Sequence, residues 1–552
     1  MLPITSRGLV VTDRMCWGIL FMAMAVAAGL ILYLNRGTVF YLDELGRVLS
    51  VTSLTPGEVL EPHEGHLTAT SNLVFKALLE VFGADYLAWR ILAISAVLLS
   101  AGLFYTLVKR RIGALPALAP TLVLLFLGSA WEMVVIPWGF NTVFSVASGL
   151  AALLALERGD SRGDLAACVL ICVSVATLSV GLAFLAGVAV AVLLAPDRRR
   201  RAWIFLVPLA LYVAWFAWSL SSAGAGDSEA KASNLLLIPG YVFDSLAAVM
   251  AGITGLGYDF TEGSLSLEFG WGRILAAAAI VAIVIRLRRG AVPPLLWVGL
   301  AVVVAYWTLG ALVVEPETKQ APGEVRYVYA GSVGVLLVTA AASTRVLFSK
   351  PGLIGLFAVC AFSLATNLAL LRDGGGAFRN DYSAPLRAEL ATLELARDQL
   401  APDRLVALSQ FEVVTPASAY FDVVDRYGSP AFSPTELERQ VEVVRVGADE
   451  RLAALLDLHL EQSRDGPPGP CRQLTASAAG APLEFILPPG GASIRAEGGP
   501  ANVAIGRFGA PSVDAGTFAP GEAGTLAIPP DSAPAPWRAS VTGVSAIETC
   551  AV

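Results

Sequence analysis

The feature that most constrains this chain is a series of long apolar runs separated by short polar turns. They lie near 15–35, 87–108, 113–130, 137–156, 164–178, 180–195, 202–221, 269–286, 292–314, 325–343 and 352–371. About 20 apolar residues in a helix, at about 1.5 Å each, cross a hydrocarbon core of about 30 Å. In that core every backbone N–H and C=O must be satisfied within the chain, and runs of this length do so as helices. The expected fold is a polytopic α-helical membrane protein with about eleven transmembrane helices. The stretch 164–195 overruns one crossing and is divided near "TLSVG" (177–181). Composition agrees: 56% of residues are hydrophobic and only 15% charged, against about 25% charged in a soluble domain. A net charge of −7 and the lack of a long basic arm argue against nucleic acid as a partner.

The first run follows Arg7 and Arg14, spans a full bilayer width and lacks a convincing small-x-small cleavage site before Asp43. It is expected to remain as the first membrane helix. Basic residues set the orientation. One side receives Arg7, Arg14, "KRR" (109–111), Arg158, Arg162, "RRRR" (198–201), "RLRR" (286–289), Arg345 and Lys350 in short loops. That side is expected to be cytoplasmic, which puts the N-terminus inside and the C-terminal domain outside the plasma (inner) membrane. Counting "LLLIPGYVFDSLAAVMAGITGLG" (235–257) as a span would put a basic cluster on the wrong side. With Pro239, Gly240 and Asp244 inside it, this segment is expected to be a re-entrant or interfacial helix that walls a cavity.

Beyond about 371 the composition turns polar. Three regions follow from this: a transmembrane domain at 1–371, a helical and mixed region at 372–470, and a β-sandwich at 471–552. "RDGGGA" (372–377) reads as a turn, and "FSPTELERQVEVVR" as a helix with Ser433 as N-cap and Pro434 at its first position. From Cys471 onward short strand-like runs alternate with Gly and Pro. Cys471 and Cys550 bracket this extracytoplasmic α+β domain and are expected to form a disulfide. Cys16, Cys168, Cys172 and Cys360 lie in apolar runs and read as small buried hydrophobes. Trp537 reads more readily as core than as a glycan platform, and His459 as an exposed helix residue.

The chemistry concentrates in the first outer loop, 36–86. It carries Asp43, Glu44, Arg47, Glu58, Glu61, His63, Glu64 and His66. Asp43 and Arg47 are four apart and share a helix face. "TSNLVFKALLEVFG" (70–83) has the spacing of a helix lying flat on a membrane. An acidic pair at a helix end is more often solvated or capping than reactive. Here it stands at the interface, where charge is costly unless exposed or used, and histidines and further carboxylates follow closely.

These residues resemble the first outer loop of the GT-C superfamily, polytopic glycosyltransferases that use polyprenyl-phosphate sugars and include protein O-mannosyltransferases, aminoarabinose transferases and arabinofuranosyltransferases. Asp43, Glu44, Phe82, Gly83 and Arg90 match the pattern in order. "GEVRYVYAGSV" (323–333) resembles its Arg-Tyr entry into a late span, and Glu132 stands where many members place a second acidic residue. The resemblance covers roughly 15–371. It departs from the aminoarabinose transferases in having "EPHEGH" where they carry a lysine-rich stretch.

The resemblance implies transfer of a sugar from a polyprenyl-phosphate donor to a glycan, lipid or protein acceptor outside the membrane. Such a transfer needs a base near the interface, assigned to Asp43, aided or replaced by Glu44. The leaving phosphate needs cations: Arg326 beside Tyr327, with Lys319 and Arg90, and His66 as a further contact. A divalent metal, Mg or Mn, is the one cofactor this chemistry admits, with Glu132 and His63 as candidate ligands. Plain surface roles for the histidines and snorkelling for Arg326 are the competing readings. A flippase of lipid-linked sugars would need matched broken helices at the midplane, and a non-catalytic envelope scaffold would not need the intact acidic pair.

Overall fold

A computed structural model describes residues 12–41, 43–51, 55, 57–221, 231–257, 267–314, 321–344, 346–408, 413–463, 470–478, 480–496, 499–531, 533 and 535–552, with only the backbone of Asp43, Val51, Val413 and Ser463. Lys319 and the Asp43 side chain therefore lie outside the described residues. The chain divides into two compact units. The first is Met1–Arg36, Ser50–Val81 and Leu87–Arg379; the second is Gly37–Leu49, Phe82–Tyr86 and Asn380–Val552.

The first unit is the membrane domain. Among the described residues, eight helical stretches are long and apolar enough to cross: Asp13–Leu34, Tyr86–Ile112, Pro137–Leu156, Arg198–Ser219, Gly270–Arg288, Pro294–Val313, Val325–Ala342 and Lys350–Leu395. A ninth crossing is counted if Ala114–Leu125 and Gly128–Val135, bent by 41°, are one broken span. Eleven was the expectation, and the difference has a physical cause. The runs at 164–178 and 180–195 fold as helices of 17 and 14 residues, Ser161–Thr177 and Val180–Leu193. At about 1.5 Å per residue each falls short of a core of about 30 Å. The segment near 235–257 folds as a 17-residue apolar helix, Ile238–Thr254, with Pro239 in its first turn.

The glycines of 372–377 do not make the turn expected of them. The helix that begins at Lys350 continues to Ala377. A β-carbon on Gly374 would lie 2.3 Å from the Trp131 ring, and one on Gly375 would lie 3.0 Å from Leu34. These glycines let neighbouring elements approach closely.

Among the described residues the second unit combines helices with a two-stranded antiparallel pair, Leu405–Leu408 and Val413–Pro416, and two larger antiparallel sheets. One sheet runs Leu483–Ile486, Arg538–Thr542, Ala501–Gly506, Val513–Phe518; the other runs Glu461–Ser463, Ala523–Ala527, Gly491–Ala496, Ala546–Ala551, Cys471–Thr475. Val503, Ile505, Ala539 and Val541 of the first sheet and Ile494 and Leu526 of the second are fully buried, and Trp537 is buried as well. Cys471 and Cys550 face each other in register and are joined by a disulfide. Ser433 caps its helix in a reciprocal box with Glu436. That helix stops at Leu437, and a second one, Glu442–Leu455, follows where a single helix was expected. The second helix carries Asp449, whose buried carboxylate accepts the N–H groups of Arg507, Phe508 and Gly509 at 2.8–3.1 Å. This anchors the strand end to the helix.

Candidate active site

In the membrane unit the loop after the first span is ordered by a tight turn. "PHEGH" closes with paired backbone hydrogen bonds between His63 and His66, at 3.0 and 2.8 Å. The two residues between them, Glu64 and Gly65, have φ of 47° and 75°, the signs of a type I′ turn. His66 Nδ1 lies 2.8 Å from Ser179 Oγ. Ser71 Oγ donates to the Thr177 carbonyl, and the Trp215 indole N–H donates to the Leu60 carbonyl at 2.7 Å. The break between the two short helices at 177–180 is therefore where the loop docks. His63 meets Trp138 edge-on, with ring centroids 6.1 Å apart. Helix Ala69–Phe82 buries Asn72, Phe75 and Leu79 and exposes Leu73 and Val81, as a helix lying on a membrane would.

Glu132 stands in the short helix Trp131–Val135, whose residues are all buried. This segment is held from below by Asn367. The Asn367 Oδ1 accepts the Ser129 N–H at 2.9 Å, and its Nδ2 donates to the carbonyls of Gly252 and Ser363 at 3.0 and 2.9 Å. One buried amide thus ties together the turn before Glu132, the helix Ile238–Thr254 and the helix from Lys350. A β-carbon on Gly128 would lie 1.8 Å from the Asn367 carbonyl oxygen, so the turn and that helix touch backbone to backbone.

Facing Glu132 electrostatically is Arg326, with Glu324 as the nearby like charge. Arg326 opens the span Val325–Ala342. Its Nε donates to Glu324 Oε2 at 2.6 Å, and the other Glu324 oxygen accepts the Ala321 N–H at 2.8 Å. The Arg326 side chain is 48% exposed while that of Glu324 is 13% exposed. A half-exposed guanidinium backed by a largely covered carboxylate is an oriented cation at a helix entrance. Its Cζ lies 5.3 Å from the Tyr327 ring centroid. The Tyr306 hydroxyl donates to the Tyr327 carbonyl at 3.4 Å. Tyr241, on Ile238–Thr254, senses the charges of Arg326 and Glu324, and Tyr327 those of Arg326, Glu132 and Glu64. The structure therefore brings Glu132, Arg326 and Tyr327 together. Glu324, Tyr241, Tyr306 and Asn367 went unnoticed in the sequence. Only Asn367, a lone amide in an apolar run, left a signal there. Arg90 is half-buried in the helix Tyr86–Ile112.

In the second unit the acidic pair begins a helix, Asp43–Val51. Glu44 is fully buried. Its Oε2 accepts the Tyr41 N–H at 2.9 Å and the Tyr86 hydroxyl at 2.5 Å. Phe40 packs edge-on against Tyr86 at 5.0 Å, and Tyr41 against Tyr382 at 5.2 Å. The Val39 N–H donates to Ser383 Oγ, and Arg387 donates to the Gly37 carbonyl. At the far end of the loop the Ala84 N–H donates to the Tyr427 carbonyl at 2.8 Å. Gly83 has φ +62°, and a β-carbon there would lie 2.5 Å from the Tyr427 oxygen.

Among the described residues, the one group of three His, Cys, Asp or Glu ligand atoms within 4.8 Å of one another is Cys471, Glu548 and Cys550, and two of these are spent in the disulfide. Glu132 and His63 belong to no such group, so no step is assigned to a metal.

Comparison with known proteins is sparse. No family model matches the chain, and no curated protein matches it. Solved structures similar to it include two of ArnT. ArnT from Cupriavidus metallidurans bound to undecaprenyl phosphate is 16% identical over 73% of this chain and 85% of that chain, with a TM-score of 0.45. ArnT from the same organism in the apo state is 14% identical over 81% of this chain and 96% of that chain, with a TM-score of 0.46. Likeness of this size assigns neither activity nor substrate.

Proposed function

We propose that this chain is an integral-membrane glycosyltransferase of the inner membrane. On this reading its N-terminus is cytoplasmic, and it moves a sugar from a polyprenyl-phosphate donor to an extracytoplasmic acceptor. The observation that carries the reading is the Arg326 centre. An arginine held by Glu324 at the mouth of a span, half-exposed and beside the Tyr327 ring, suits a phosphate anchored at the bilayer surface. Bond cleavage at the sugar's anomeric carbon leaves negative charge on that phosphate, and a fixed guanidinium stabilises it as it develops. The acceptor hydroxyl gives up its proton to a carboxylate and attacks the same carbon. Asp43, at the start of the helix that follows the first span, is our candidate for that base. Glu132, buried and sharing the field of Arg326, is a second carboxylate near the cation. Lys319, Arg90 and His66 are secondary candidates for donor contact.

The test is transfer by purified full-length protein in nanodiscs, offered a pool of radiolabelled polyprenyl-phosphate sugars and a cell-envelope extract as acceptor. The proposal requires label in the acceptor fraction that depends on Arg326. Movement of the labelled lipid across the bilayer without transfer would instead support a flippase.

A further inference from the structure

The acidic pair leaves a question that the proposed reaction does not answer: what the second carboxylate does. The geometry points to Glu44 as a positioning residue, which fastens the acidic helix to its own compact unit and leaves Asp43 to act alone as the base. This rests on the proposed glycosyl-transfer reading for its catalytic consequence, but the fastening itself stands on geometry.

Glu44 is fully buried, whereas a base that meets an acceptor hydroxyl must be reachable by it. One of its oxygens takes two hydrogen bonds. The Tyr41 N–H, at 2.9 Å, belongs to the residues just before the helix, and the Tyr86 hydroxyl, at 2.5 Å, to the end of the outer loop. The Glu44 N–H in turn donates to the Tyr41 carbonyl at 2.9 Å, a reciprocal cap in which the side chain satisfies one donor at the helix start and the backbone closes the turn. These two Glu44 partners are themselves held. Tyr86 packs on Phe40, Tyr41 packs on Tyr382, and Val39 donates to Ser383. Arg387 ties the Gly37 carbonyl to the carbonyls of Pro430 and Ala431. On the other side of Tyr86, Ala84 is bonded to Tyr427. The helix that opens with Asp43 is thus gripped from both ends of the loop by residues 380–431, and Glu44 is where the two grips meet.

A positioning role and a base role demand different things of this side chain. Both hydrogen bonds are accepted by an oxygen, so an amide can accept them equally well, whereas an amide cannot take a proton. The experiment compares Glu44→Gln, Glu44→Ala and Asp43→Asn with wild type in the full chain, by amide hydrogen exchange of residues 43–49 and by sugar transfer. Glu44→Ala is expected to speed exchange of this helix and, because a small misplacement of a reacting group costs about 100-fold, to lower kcat with little change in the donor KM. Glu44→Gln is expected to keep wild-type exchange and to stay within about threefold of wild-type kcat. Exchange in Glu44→Gln as fast as in Glu44→Ala, or unchanged exchange in Glu44→Ala, would overturn the fastening. A Glu44→Gln enzyme as inactive as Asp43→Asn would overturn the division of roles. Absence of transfer by wild type would remove the glycosyl-transfer reading, while the exchange data would still decide the fastening.

Discussion

Gly83→Ala probes how closely the outer loop is fitted to its support. Gly83 has φ +62°, and a β-carbon there would stand 2.5 Å from the Tyr427 backbone oxygen. The left-handed conformation costs a non-glycine residue about 1–2 kcal/mol. Relief of the clash requires the backbone to move, at a further cost of about 1–3 kcal/mol, as for overpacking in a core. The sum is about 2–5 kcal/mol. Gly37→Ala is the internal control: Gly37 has φ +72° with nothing within 4 Å of a β-carbon, so only the first cost of about 1–2 kcal/mol applies. The readout is hydrogen exchange at the Ala84 amide, which donates to Tyr427 at 2.8 Å. A loss of 2 kcal/mol in local opening speeds exchange about 30-fold, at about tenfold per 1.4 kcal/mol. Gly37→Ala should leave the Ala84 amide near its wild-type rate. Equal acceleration in both variants, or none in Gly83→Ala, would refute the reasoning.

Arg326→Ala should abolish binding of a short-chain polyprenyl phosphate, measured by scintillation proximity in nanodiscs, and Arg326→Lys should restore part of it, because a lysine keeps the charge and loses the fork. Ser433→Ala should destabilise the helical part of the second unit by about 1 kcal/mol. The Glu436 carboxyl is held below its ordinary value of 4.5, first by the Ser433 backbone N–H. That stabilisation is present above about pH 4.5 and lost as pH falls through the lower folded value; Ser433→Ala keeps the backbone N–H and removes only the bond from the Ser433 hydroxyl, so the gap between wild type and Ser433→Ala in thermal unfolding should narrow in acid by that hydroxyl's share alone. EDTA tests the proposed divalent metal: loss of transfer that Mg or Mn restores would support one, and unchanged transfer would remove it from the proposed reaction.

Much of the fold is legible in the sequence because the bilayer imposes a length and a polarity on every span. The division at 177–181, the Ser433 cap and the Cys471–Cys550 pair follow from the same local rules. What local rules miss is close approach. Gly374 and Gly375 look like a turn in isolation, yet they lie in a helix, where the lack of β-carbons leaves room for Trp131 and Leu34. The excess of expected spans comes from length: hydropathy at 164–195 is high, but the helices on either side of the break have only 17 and 14 residues. Arg326 was visible beside Tyr327. Glu324, which orients it, and the tyrosines on two other helices were not, because partners distant in sequence carry no local pattern. Glu44 reads from sequence as a carboxylate that aids or replaces Asp43; its burial and its bond to Tyr86, 42 positions on, from which a support role is proposed, are not visible in sequence spacing.

The central claim is that Asp43 takes the acceptor's proton during sugar transfer from a polyprenyl phosphate. The most direct measurement is the single-turnover rate of transfer in nanodiscs by wild type and Asp43→Asn, with donor binding measured on the same preparations. The account predicts that Asp43→Asn binds donor as wild type does and loses transfer by about 100-fold or more. Transfer at the wild-type rate by a folded Asp43→Asn protein would contradict it.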